Sequence, residues 1–283
     1  MVFFPMNRLA LTIVLPLLLV AIPTSCLHAQ VPIPRQHHPW GSYSSGAWKK
    51  VKVITEMFED GELASTSTQE TTATLIEVDE DEYVLRVEVV VEVAGKRFTA
   101  DPKIVRQGFF GGRRGEGRTI SKIGNAPLEI NSRSISTEVQ QIIVKDDHSQ
   151  SITSFNYSPD VAPYVLKRDT VTKSIDGKST LNSTKLDVLA IDMPYKVLAD
   201  IHSTCVIRTV TKDSKSTSVT IEIQSDGIPG GVVSHTSKQV DENGKLSRRS
   251  TLELLDYHIP GNNSRAVRVL PRRFHRTRNS SDR

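Results

Sequence analysis

The sequence predicts an all-β protein: an antiparallel meander of long β-hairpins with an internal repeat, behind an N-terminal signal helix. Three observations carry that expectation. Tyr83, Leu85, Val87, Val89, Val91 and Val93 alternate with Arg86, Glu88 and Glu92, the two-residue period of a strand with one dry and one wet face. Asp60-Gly61, Asp176-Gly177 and Asn243-Gly244 punctuate such runs as hairpin turns, and Gly61, Gly177 and Gly244 supply the positive φ that a tight turn needs. Ser158, Val165, Gly177, Lys178, Ser183 and Thr184 each recur 67 positions later, at Ser225, Val232, Gly244, Lys245, Ser250 and Thr251. A hairpin unit is therefore repeated, and a fainter third copy surrounds Asp60-Gly61 and Ser67-Thr68. Alternation does not say how such a sheet closes, so a sandwich, a half-barrel and a flat curved sheet are all open.

Residues 1–29 read as a secretory signal. Arg8 is its positive charge, Leu9 to Ile22 its apolar core, and the stretch from Pro23 to Ala29 its cleavage region. The core is shorter than the roughly 20 residues of a spanning helix and carries Pro16. The mature chain is expected to begin near Gln30 and to be exported, to the periplasm, the cell surface or the medium. Lipid anchoring at Cys26 is the lesser alternative, because Pro23 stands where lipoprotein signals usually carry Leu. Cleavage after Ala29 would leave Cys205 as the one remaining cysteine, so stability must come from packing rather than from an internal disulfide.

Residues 30–45 form a Pro-, Gly- and Ser-rich extended arm, with Trp40 placed to pin it to the sheet. Residues 46–107 make the first hairpin region, in which Val51, Val53, Thr55 and Met57 share a face and Thr-rich residues return. The pattern breaks over residues 108–136, a Gly- and Arg-rich loop followed by a polar linker containing Pro127. Residues 137–260 hold the repeated hairpins, and 261–283 an Arg-rich C-terminal tail.

No catalytic, cofactor or metal motif stands out. There is no G-x-S-x-G, H-E-x-x-H, C-x-x-C or phosphate loop. His37-His38 lies in a polar arm, His202 with Cys205 offers two ligands where zinc wants three or four, and His235 stands apart. The glycines around Arg113, Arg114 and Arg118 read as a surface loop, with Phe109 and Phe110 either docked on the core or exposed at its tip. Asp79 to Glu82 reads as a solvated turn, and Cys205 as a small buried hydrophobe.

These residues carry a resemblance. Pro39-Trp40-Gly41, Gly46-Ala47-Trp48, the threonines Thr71, Thr72 and Thr74, and Ile228 to Val233 make the chain similar to uncharacterised exported β-rich proteins of planctomycete-type bacteria. That resemblance covers most of the mature chain and implies no activity. More loosely, the long hairpins resemble the half-barrels of lipoprotein carriers such as LolA, without the helices that plug them. The reading that follows is an exported, non-catalytic β-sheet protein, acting by binding or as a cell-envelope component. A periplasmic carrier of an apolar ligand or lipoprotein is the first alternative, and would show an apolar trough. An enzyme with a polar cleft, for example around His202, His235 and His258, is the second.

The tail generates a test. Arg265, Arg268, Arg272, Arg273, Arg276, Arg278 and Arg283 stand against one acid, Asp282, a composition suited to an anionic envelope surface or polymer; nucleic acid is not expected outside the cell. The mature protein should bind anionic vesicles at low ionic strength, and binding should weaken steeply with salt. Deleting residues 265–283 should abolish it and leave the melting temperature nearly unchanged. Equal binding by the truncated protein in a sedimentation assay would refute the assignment.

Overall fold

The computed structural model describes residues 33–109, 118–145 and 147–261. The leader and the arginine tail lie outside these residues. Within them one 3-10 turn, Arg35–His37, precedes fourteen strands. The strands are β1 Trp48–Glu59, β2 Glu62–Val78, β3 Glu82–Val93, β4 Lys96–Thr99, β5 Lys103–Gly108, β6 Arg118–Ile130 and β7 Arg133–Lys145. They continue as β8 Ser149–Tyr157, β9 Val165–Ser174, β10 Thr180–Val197, β11 Asp200–Asp213, β12 Ser216–Gln224, β13 Val232–Asp241 and β14 Leu246–His258. All belong to one antiparallel sheet, ordered β4-β3-β2-β1-β14-β13-β12-β11-β10-β9-β8-β7-β6, with β5 also on β3. One curled sheet, not two packed ones, removes the sandwich and is consistent with the half-barrel.

The turns fall where the hairpin punctuation puts them. Asp60 and Gly61 have φ of 51° and 89°, Gly177 has 71° and Gly244 has 80°. All three turns lie at one end of the sheet. At the other end lie the arm and two connections 67 residues apart. Ser158 N–H donates to Tyr164 O at 2.8 Å, and Ser225 N–H to Gly231 O at 2.9 Å; Tyr164 and Gly231 both have positive φ, 68° and 71°. Packing matches as well. Ile130 and Leu166 share one buried cluster, Val197 and Val233 another, each pair again 67 residues on.

Two expectations need correction. The stretch read as loop and linker, 108–136, contains all of β6 and the start of β7. Pro127 concealed it, yet β6 is an edge strand, where a missing N–H need not break a ladder. After Gly95 the chain returns as two short strands, β4 and β5, divided at Ala100-Asp101-Pro102. The arm is less extended than its composition suggests. His37 N–H donates to Pro34 O and Gly41 N–H to His38 O, both at 2.9 Å, and Ile33, Trp40 and Ala47 are buried.

The alternation in β3 holds at its first half, where Tyr83 and Leu85 are buried, and fades towards Val93, which is exposed. Val84, on the opposite parity, is also buried; its partner Glu77 adjoins a register shift in β2. Val51, Val53, Thr55 and Met57 likewise run from buried to exposed along one face. The apolar core therefore sits at the end that carries the arm.

A substitution at Gly177 or Gly244 meets no atom within 4 Å, so only the backbone opposes it. Gly177→Val and Gly244→Val should each destabilise by more than the ~0.5 kcal/mol of ordinary surface changes. Gly230→Ala should cost more, because its Cβ would stand 2.8 Å from the Trp40 ring at a φ of +70°. Thermal melts of the three variants check this order.

Candidate functional site

The arm spans the mouth of the curled sheet. Ile33 packs with Ile142, Phe155 and Tyr157 on one wall, and Trp40 with Leu75, Tyr83 and Leu85 on the other. His37 stacks on Tyr164 at 3.9 Å, and its Nδ1 shares a hydrogen bond with the Tyr157 hydroxyl at 2.8 Å. His38 lies 4.9 Å from the Tyr83 ring and 5.0 Å from Phe109, which docks on the core. Gly230 N–H donates to Pro39 O at 2.9 Å. Gly41 has no alternative, since a Cβ there would meet Arg35 O at 2.0 Å.

Beneath this roof lies a cavity of about 560 Å³. Tyr83 and Gln107 line it from one edge of the sheet, Ile142 and Phe155 from near the other, with Leu186, Ile207, Arg168 and Glu222 between them. These residues are register neighbours: Phe155 pairs with Arg168, Arg168 with Leu186, and Ile207 with Glu222. They identify the concave face. A smaller cavity of about 230 Å³ adjoins it under the arm, beside Tyr164, Thr204 and Cys205.

The concave face is also lined with hydroxyls. Thr209, Thr220, Ser237, Ser250, Thr55 and Ser67 follow one another in direct register across β11, β12, β13, β14, β1 and β2. Thr153, Thr170, Thr184, Thr211 and Ser218 do so from β8 to β12. Neighbours bond to one another, as Thr153 with Thr170 at 3.0 Å and Thr220 with Ser237 at 2.9 Å. The convex face carries cross-strand ion pairs instead, such as Lys50–Glu70 at 2.7 Å and Arg208–Asp187 at 3.0 Å.

Three groups under the arm are electrostatically unusual. Burial pushes the His38 imidazole down to about 4, and its Nδ1 accepts the Trp40 N–H at 3.2 Å, as a neutral ring must. Burial also pushes Lys49 down to about 8, against the pull of Glu222; its Nζ donates to Gly230 O at 3.1 Å and lies 5.9 Å from the Trp40 ring centre. Cys205 is buried and pushed up to about 12 by burial and Glu222, so it stays a thiol rather than a nucleophile.

The residues singled out in the sequence do not converge on one centre. The six arginines of the proposed anion site, Arg265 to Arg278, lie outside the described residues. Gly61, Gly177 and Gly244 are turns far from the roofed cavity. His202 lies against Tyr257 at 6.3 Å, His258 against Trp48 at 6.4 Å, and His235 lines a separate hollow with Ser237 and Arg248. Among the described residues no three His, Cys, Asp or Glu side chains form a metal cluster. Sequence reasoning missed Arg168, Glu222 and Arg248. A signal existed: Arg248 shares its parity with Ser250, Leu252 and Leu254, a charge on a face that is otherwise apolar or hydroxylated.

No protein-family model and no curated protein matches the chain. Among solved structures it is similar to a protein of Bacteroides fragilis provisionally classed as exported, with a YmcC-like fold, at 10% identity and a TM-score of 0.30; the alignment covers 76% of this chain and 97% of that one. It is similar at 12% identity and a TM-score of 0.28 to a provisionally classed lipoprotein of Parabacteroides distasonis, over 76% of this chain and 96% of that one. Likeness at this level assigns neither activity nor ligand.

The neutral histidines of the arm set a pH dependence. His38 is held below its ordinary 6.5, so between about 6.5 and 4 the unfolded chain binds the proton and the folded one does not. Its contribution is present above 6.5 and is lost as pH falls through that window, by up to roughly 3 kcal/mol. His38→Gln should flatten the decline in melting temperature between pH 6.5 and pH 5. An unchanged pH profile of the variant would refute this role.

Proposed function

We propose that the protein is an exported, non-catalytic binding protein whose roofed cavity takes an amphipathic anion. The leader supports export. The observation that carries the binding reading is Arg168. It stands on the concave face among Phe155, Leu186 and Ile207, and among the described residues it makes no hydrogen bond or ion pair; Glu222 is the charge that acts on it. A guanidinium with five donors and no acceptor favours a carboxylate, sulfate or phosphate. The apolar walls favour a hydrocarbon or ring, and a cavity of about 560 Å³ falls within the range of small-molecule sites. A purely apolar ligand would leave Arg168 and Glu222 desolvated, which is costly.

The test uses dodecanoate and the fluorescent sulfonate 1-anilinonaphthalene-8-sulfonate. Both should bind, and Arg168→Gln should weaken each by about 10-fold or more, the worth of a charge-assisted hydrogen bond. Arg208→Gln, on the convex face, should change nothing. Equal affinity for dodecanol and dodecanoate would refute the anion requirement, and no binding of any of the three would refute the cavity reading.

A further inference from the structure

Nine arginines have described side chains. Arg35 donates to Asp79 O, and Arg86, Arg97, Arg106, Arg133, Arg208 and Arg249 each reach a carboxylate oxygen within 4.0 Å. Arg168 and Arg248 reach none, and both stand on the concave face. Arg168 belongs to the roofed cavity. Arg248 opens onto a different hollow of about 160 Å³, nearer the turn end, walled by Ser218, Thr220, Ser237, Ser250, Gln239 and His235.

The chemistry of that hollow is distinct. No carboxylate lines it, and among the described residues none reaches Arg248 within 4.0 Å. No aliphatic or aromatic carbon side chain lines it either, so an apolar ligand would desolvate its polar groups without return. Burial lowers the His235 pKa, against the pull of Glu222 and with Arg248 adding a smaller push in the same direction, and a neutral imidazole can both donate and accept. Both hydroxyl rows run through the hollow, one by Thr220, Ser237 and Ser250, the other ending at Ser218. Each hydroxyl donates once and accepts twice. Adjacent strands set them roughly 4.8 Å apart, so the six-strand row runs about 24 Å along the curved sheet. A ligand that matches this surface is rich in hydroxyls, extended, and carries an anionic group.

We propose that the hydroxyl-lined half of the concave face is a second binding site, for an acidic saccharide, with a uronate or sulfate group on Arg248 and the sugar hydroxyls along the Ser and Thr rows. The site deepens the reading of the concave face as the ligand surface, and it stands whether or not the roofed cavity takes an amphiphile.

The experiment titrates the full chain with trigalacturonate by calorimetry at about 0.15 M salt, where exposed charges are screened beyond roughly 8 Å. Binding is expected, with maltotriose at least about 10-fold weaker for want of the charge. Arg248→Gln should reduce affinity for trigalacturonate by about 10-fold or more, and Thr220→Val with Ser237→Ala should reduce it without touching the charge. Arg168→Gln should leave it unchanged while weakening dodecanoate, which separates the two sites. Circular dichroism and melting confirm that each variant is folded. Affinity undiminished in Arg248→Gln would overturn the proposal, since binding would then lie elsewhere, the tail included. Loss in Arg168→Gln but not in Arg248→Gln would overturn it in favour of the roofed cavity alone. Inorganic sulfate binding as tightly as trigalacturonate would overturn the saccharide assignment, because the hydroxyl rows would contribute nothing.

Discussion

The shape of the molecule follows from one covalent constraint. β5 and β6 lie at opposite edges of the sheet, yet only ten residue steps separate Gly108 from Arg118. Ten steps reach at most about 36 Å. Laid flat, the dozen strand spacings between those edges would extend to nearly 60 Å. The edges must therefore be drawn towards each other, and the sheet must curl. The cavity records the result: Gln107 from one edge and Ile142 from beside the other line the same space. Right-handed strand twist supplies the direction of bending, while the short connection sets how far it goes.

Curling divides the two faces chemically. The convex face is splayed and wet, and its strands are tied by ion pairs that contribute little individually. The concave face is crowded, so large side chains cannot fill every position. Near the arm it is filled by Trp40, Leu166 and Val233. Away from the arm it is lined by Ser and Thr, small enough for the inner radius and able to bond one another across strands. The free guanidiniums stand inside this gradient, one in each regime. The arm then closes the crowded end, which is why a segment without strands buries Ile33, Trp40 and Ala47.

Local patterns were legible in the chain and global ones were not. The period in β3 and the glycine turns were visible because each depends on residues close in sequence. The 67-residue recurrence located two matching connections, Ser158 to Tyr164 and Ser225 to Gly231, through their shared serine and following valine. β6 was hidden because Pro127 reads as a breaker unless the strand is known to be an edge. Arg168 was hidden for another reason. In Lys167-Arg168-Asp169 it looks like ordinary surface charge, and only the register with Phe155 and Leu186 turns it inward. The hydroxyl rows are invisible in any one strand, since each strand contributes one or two Ser or Thr and the row exists only across the ladder.

One feature of the topology governs the order in which this molecule can come into being. The first strand, β1, pairs with the last, β14, along ten register positions from Trp48↔His258 to Met57↔Arg248. Until the last strand is made, one side of β1 is an open edge, and the arm that precedes it lacks the Gly230 N–H on which Pro39 closes. Contacts spanning nearly the whole chain are slow to form, because loop closure must precede them. An incomplete chain therefore exposes β-rich edges to pairing with its neighbours. On the export route proposed above, a chain crossing a membrane from its N-terminus would meet this condition throughout its passage, and its native sheet would be completed only when the far end had arrived.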